Sequence, residues 1–283
     1  MLKRVLNYLR NVNTLQRVNM ALTRGGLAIN LRNICSKNPQ SWEFSGFSQN
    51  GEDGISDYLT SQLISSNRYF VEIGASDGIE NNTAWFAIAK KYSGIMVEGD
   101  KKLSNRSKHN MAQFNLGVKS ENIFVTQESI EQFVTLLSYK NPDIFSLDID
   151  GNDYYVMKSL FEHQLRPKIC IVEYNSAFGS EQVLTIPYCP NFYYVSAHSS
   201  GLYYGVSIAA WKKLFLENGY KFVAVDSRGV NAFFIDPSFF DGEFVANISG
   251  CHFQENFYQF QKFNVGHQKQ FEAMSDMPFY ELK

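Results

Sequence analysis

A chain of 283 residues with 45% hydrophobic and 19% charged residues has the composition of a core-forming globular protein, not a disordered one. Its net charge of −2 hides an asymmetry: the first forty residues carry seven basic side chains (Lys3, Arg4, Arg10, Arg17, Arg24, Arg32, Lys37) and no acidic one, leaving −9 on the remainder. An acidic body argues against a nucleic-acid partner, because phosphate neutralisation needs clustered Lys and Arg. No apolar stretch reaches the roughly 18 residues that span a bilayer. The four cysteines (Cys35, Cys170, Cys189, Cys251) form no CxxC pair, so neither a zinc site nor a disulfide framework is indicated. With no signal-peptide pattern at the N-terminus, the expected compartment is the cytoplasm.

In chain order, residues 1–24 read as an amphipathic helix, with Leu2, Val5, Leu9, Val12, Leu15, Val18 and Leu22 at spacings of three and four. Gly25-Gly26 is expected to break it. Three readings stay open: packing on the domain or on a twin subunit in a homo-oligomer, peripheral contact with an anionic membrane surface on its inner face, and docking to another enzyme. From residue 69 short apolar strands alternate with helical patterns, the signature of βαβ units. Strands are expected at 69–73, 94–98, 122–125, 144–148 and 168–173, separated by helices over 81–91, 101–113, 128–138 and 151–160. A helix over 206–217 then precedes strands at 221–225 and 231–235, joined by the hairpin-length turn Asp226-Ser227-Arg228-Gly229. This order predicts an α/β, Rossmann-like class I methyltransferase fold: a mostly parallel seven-stranded sheet closed by a C-terminal antiparallel hairpin. The expected division is 1–43 for the basic helix and linker, 44–237 for the catalytic domain and 238–283 for an aromatic-rich extension of no clear period.

The most informative local sequence is Val71-Glu72-Ile73-Gly74-Ala75-Ser76-Asp77-Gly78 at the end of the first strand. Ligands of open α/β sheets sit beyond the carboxyl ends of strands, where glycine admits close backbone approach. The G-x-x-x-G spacing of Gly74 and Gly78 is not the G-x-G-x-x-G that cradles a pyrophosphate, which argues against NAD, FAD and a nucleotide-dependent reductase. Glu72, two before the first glycine, suits a cationic cofactor without phosphate. Glu98, ending the second strand, can accept hydrogen bonds from ribose hydroxyls. Together they indicate an adenosine-bearing cofactor; a plain strand-to-helix turn is the competing explanation of the glycines.

Ser48 to Gly54, Phe70 to Gly78 with Asn81-Asn82-Thr83, Ser146 to Tyr154, Val172-Glu173-Tyr174-Asn175, Tyr204 to Ser207 and Gly229 to Phe234 together resemble the FkbM-type methyltransferase family, over about residues 44–236. The resemblance implies S-adenosylmethionine as donor and O-methylation of a sugar-like or glycan substrate, such as a surface polysaccharide or its activated precursor. A methyltransferase-like partner without activity in a glycan-assembly complex is the alternative.

Asp148 and Asp150 leave the fourth strand and Glu173 and Asn175 the fifth, so four oxygen-bearing side chains converge beside the expected cleft. One reading is a divalent metal, Mg²⁺, since the ligands are hard oxygens; a similarity to metal-dependent macrolide-sugar methyltransferases adds to it. The other is metal-free, with Asp148, Glu173 or His198 accepting the hydroxyl proton during in-line methyl transfer. Asp150 or Asp153 is also a candidate helix cap. Gln49 and Glu52 precede a helix expected at 55–64 and are candidates for the cofactor, Glu52 at its methionine end, with Asn82 and Thr83 as further contacts. Asp53 there is a candidate helix cap.

Overall fold

A computed structural model describes residues 2–282, with side-chain surroundings from residue 11 onward. Helix α1 (Leu2–Leu31) runs through Gly25 and Gly26 without a break. The expected stop fails for a packing reason: a Cβ at Gly25 would overlap the Trp85 ring and press on Phe44, so glycine there lets the helix approach the body. Leu2, Val5 and Leu9 of the expected stripe lie outside the described side chains, whereas Val18 and Ala21 are buried. Three of the basic residues bind the body. Arg17 meets Asp77 at 2.6 Å, Arg24 donates to the Gly46 carbonyl at 3.1 Å and Arg32 meets Asp57 at 3.0 Å. The described part of the helix packs on its own domain.

Helix α2 (Glu52–Ser61) leads into the strands β1 (Tyr69–Ile73), β2 (Ser93–Glu98), β3 (Val118–Asn122), β4 (Ile144–Leu147) and β5 (Ile169–Glu173). Helices α3 (Ala84–Ile88), α4 (Lys101–Phe114), α5 (Ile130–Thr135) and α6 (Asp153–Glu162) alternate with them. After the two-residue strand β6 (Leu184–Thr185) come α7 (Tyr194–Ala197), α8 (Ile208–Glu217), β7 (Lys221–Val225) and β8 (Asn231–Ile235). The seven-stranded sheet has the order β3-β2-β1-β4-β5-β8-β7. Its first five strands are parallel, while β8 runs antiparallel to both β5 and β7. This is the Rossmann-like class I methyltransferase arrangement.

The strands are apolar runs because both sheet faces are covered. Alternate residues feed two cores: Val71, Phe145, Val172 and Phe234 on one face with α6 and α8, and Phe70, Ile144, Ile171 and Phe233 on the other with α2 and α3. Strand order reverses between β1 and β4, which opens a crevice above their carboxyl ends. The third strand lies earlier than its apolar residues indicate. β3 is an edge strand of sequence VKSEN, largely exposed, and Ile123, Phe124 and Val125 after it line the crevice instead.

The C-terminal segment wraps the domain. It forms α9 (Gly242–Asn247), α10 (Phe257–Phe263), α11 (His267–Glu272) and β9 (Tyr280–Glu281), the last paired antiparallel with β6. Met274 and the partly buried Phe271 and Phe279 build a third apolar cluster with Phe178 and Leu202.

Candidate functional site

A cleft of about 700 Å³ lies above the carboxyl ends of β1, β2 and β4. Its floor is the turn after β1. Gly74 has φ +92°, and any Cβ there would collide with the Asp148 carbonyl, so the ends of β1 and β4 touch through a residue that must be glycine. Asn81 closes the same turn, accepting from the Thr83 and Ala84 backbones at the start of α3 and donating to the Ala75 carbonyl at 2.9 Å.

Glu98 ends β2 at the cleft wall. Its carboxylate accepts from the Ser76 N–H at 2.8 Å and the Asp100 N–H at 2.8 Å, which fixes its orientation and leaves lone pairs free for a ligand. Glu72, 1% exposed, also reaches the cleft wall, and burial pushes its carboxyl up to about 8. Glu52 accepts from the Asn50 backbone, the Asn50 amide and the Asn231 amide. Gln49 donates to Glu80 at 2.9 Å, and Asn82 donates to Ser146 at 3.1 Å. Asp53 is buried inside the neighbouring loop, accepting from the Gly46, Phe47 and Ser48 backbones, and thereby shapes the stretch that carries Gln49.

At the β4 and β5 ends, one carboxylate oxygen each from Asp148, Asp150 and Glu173 lies within 4.8 Å of the others. Burial and the nearby Asp153 charge push Asp150 up to about 6, while burial and repulsion from their acidic neighbours raise Asp148 and Glu173. Each of these carboxyls thus holds a proton more tightly than an isolated one. The cluster can therefore either hold a proton or take a hard dication in its place. Asp153 belongs to the turn, accepting from the Ile149 and Gly151 backbones.

Four expected site residues lie elsewhere. Asn175 is fully buried, donating to the Leu202 and Tyr204 carbonyls and accepting from Ala177, so its side chain is spent on a short helical turn and joins no metal cluster. His198 sits outside the cleft, bonded to Ser200 at 2.8 Å and 3.5 Å from Asp276. Thr83 is fully buried away from the cleft wall. Gly78 has φ +80° and faces Ser107 of α4, where it allows helix packing rather than cofactor approach.

Other wall residues escaped the sequence reading. Arg17 of α1 reaches the rim, and Phe192, Tyr193 and Tyr194 form an aromatic side next to the acidic cluster. The run Asn191-Phe192-Tyr193-Tyr194 was a visible signal for the latter. Asn231, paired in register with Glu173 across β8 and β5, lies within the Gly229 to Phe234 motif, where no spacing marks it as a wall residue.

No family model and no curated protein matches the chain. Among solved structures it is similar to an O-methyltransferase from Bacillus cereus in complex with SAH, at TM-score 0.44 and 14% identity over 82% of this chain and 96% of that one. It is also similar to the N-terminal domain of EvdMO1 in the presence of SAH and D-fucose, at TM-score 0.42 and 12% identity over 65% and 80% of the two chains. A SAM-dependent methyltransferase from Thiobacillus denitrificans, in complex with S-adenosyl-L-homocysteine, gives TM-score 0.37 and 12% identity over 59% and 64%. These likenesses concern the fold. The expected place in the FkbM-type family is corrected: no family model matches the chain. The motifs that carried the resemblance sit largely where the fold itself demands turns and caps, as Gly74, Asn81, Asp153 and Asn175 do.

Proposed function

We propose that the chain is an S-adenosylmethionine-dependent O-methyltransferase acting on a hydroxyl of a sugar-like acceptor. The observation that carries this is one cleft with two differently equipped ends. Glu98 beside the Gly74 turn stands at one, and the Asp148–Asp150–Glu173 cluster stands at the other.

S-adenosylmethionine supplies a methyl group already activated on a sulfonium. Glu98 would accept from the ribose hydroxyls, and Glu52 would hold the ammonium of the methionine end, with Glu72 beside it giving up its proton as the cation arrives. Gln49 and Asn82 flank that end. A neutral alcohol is a poor nucleophile, so the acidic cluster would orient the acceptor hydroxyl and take its proton as the new C–O bond forms. The three clustered oxygens also fit Mg²⁺, which would neutralise their repulsion and lower the hydroxyl pKa. Tyr193 and Tyr194 offer ring faces to a sugar, and the D-fucose named with EvdMO1 agrees with that acceptor class. The proposed acceptor is a sugar alone or within a surface polysaccharide or its precursor.

Calorimetric titration of S-adenosylmethionine, S-adenosylhomocysteine and NAD(P)H, with and without Mg²⁺, tests the proposal. Binding of both adenosyl ligands that is lost in Glu98→Ala supports it. Failure of both to bind, after removal of any copurified ligand, sinks it and brings a partner role without catalysis to the front. Among the described residues no helix is long and apolar enough to cross a membrane.

A further inference from the structure

The C-terminal segment is stapled to the site side of the sheet. Tyr174 donates to the Gln254 carbonyl at 2.5 Å, the Asn256 N–H donates to Ser176 at 2.8 Å, and the Phe257 N–H donates to the Arg228 carbonyl at 2.8 Å. At Gly229, with φ +72°, a Cβ would overlap the Gln254 carbonyl, so the β7–β8 turn and this segment lie backbone against backbone. Asn256 then caps α10 by accepting from the Tyr258 and Gln259 backbones. The first turn of α10 is therefore held firmly against the domain.

From that turn the Tyr258 hydroxyl donates to Asn50 Oδ1 at 2.9 Å, across 208 residues of sequence. This bond braces the Asn50 amide in the orientation that the acceptor-only Glu52 carboxylate requires. With Oδ1 accepting from Tyr258, Nδ2 is left to donate to Glu52 Oε1 at 3.0 Å. The Asn50 N–H donates to Glu52 Oε2 at 2.7 Å, and Asn231 Nδ2 completes the set at 2.8 Å. Glu52 is 1% exposed yet forms part of the cleft wall, so three donors fix its carboxylate in one orientation there. Were the Asn50 amide to flip, its oxygen would face the Glu52 carboxylate, two acceptors in contact.

We infer that Tyr258 is a positioning residue for adenosyl-ligand binding, acting through the Asn50 amide on Glu52, so that the C-terminal extension completes the cleft. This rests on the cofactor reading proposed above. The energetic logic is preorganisation: a carboxylate already aimed at a ligand's ammonium loses less freedom on binding than a mobile one. The Tyr258 ring is 48% exposed, so removing its hydroxyl leaves the core untouched.

The test is calorimetry with S-adenosylhomocysteine on the full chain as wild type, Tyr258→Phe, Glu52→Gln and the double variant. Tyr258→Phe is expected to weaken binding about threefold to tenfold, the worth of one hydrogen bond, with an unchanged unfolding midpoint. In the Glu52→Gln background the same change is expected to have no further effect, which a merely structural role would not produce. Wild-type affinity in Tyr258→Phe overturns the inference, and so does an equal loss in both backgrounds. A wild-type chain that binds no adenosyl ligand overturns the cofactor reading itself, and this inference with it.

Discussion

The carbonyl of Asp148 occupies the space that a Cβ on Gly74 would need. The glycine turn after β1 and the acidic cluster after β4 are thus one mechanical unit. Gly74→Ala meets two penalties: a positive φ that L-residues resist and a collision with neighbouring backbone. The expected destabilisation is about 2–5 kcal/mol, read from chemical denaturation, accompanied by loss of S-adenosylmethionine binding. Normal affinity in a folded Gly74→Ala variant would show that the two strand ends move independently.

Glu72 makes stability depend on pH. Burial raises its carboxyl to about 8, above an unfolded value of about 4.3, so the folded state favours the protonated form. Its contribution is fully present below the unfolded value and is lost as pH rises towards about 8. Asp53 and Asp226, pushed up by burial to about 7 and about 8, act in the same direction. Glu72→Gln should therefore gain stability relative to wild type between about pH 4.5 and 8, by on the order of a few kcal/mol. Denaturation curves at the two ends of that window check this. An equal difference between variant and wild type at both ends would refute the shifted carboxyl.

The acidic cluster predicts a response to cations. Mg²⁺ or Mn²⁺ that binds Asp148, Asp150 and Glu173 stabilises the folded chain by mass action, by about 2.7 kcal/mol at a hundredfold excess over Kd. Asp150→Asn removes one of three repelling charges and one ligand. It should raise the unfolding midpoint without metal and abolish the further rise that metal gives. An undiminished metal response in Asp150→Asn would place the ion elsewhere.

The sequence exposed those parts of the architecture whose reason is local. β1, β4, β5 and β8 are buried on both faces and read as apolar runs, and Gly74 and Glu98 stand at strand ends where the turn declares itself. β3 was misplaced because an edge strand needs no apolar period. Asn175 and His198 were misassigned because the path a loop takes after a strand depends on what its backbone must satisfy, which no spacing reveals. Tyr258 was invisible for the opposite reason. Its partner Asn50 is 208 residues away, and only the wrapping of the C-terminal segment brings them together.

Adjacent glycines in α1 give a prediction of opposite signs. A Cβ at Gly26 meets nothing within 4 Å, so Gly26→Ala should stabilise the chain by about 0.5–1 kcal/mol, the ordinary gain of alanine in a helix. At Gly25 the same methyl overlaps the Trp85 ring, and the expected outcome is a loss of about 1–3 kcal/mol despite better helix propensity. Denaturant midpoints of the two variants decide the matter, and a gain at both positions would mean that α1 does not rest on Trp85. The same helix carries Arg17, which joins Asp77 and Glu80 at the cleft rim. Lifting α1 by Gly25→Ala should therefore also weaken S-adenosylhomocysteine binding, whereas Gly26→Ala should leave it unchanged, because only the first substitution pulls Arg17 away from its two carboxylates.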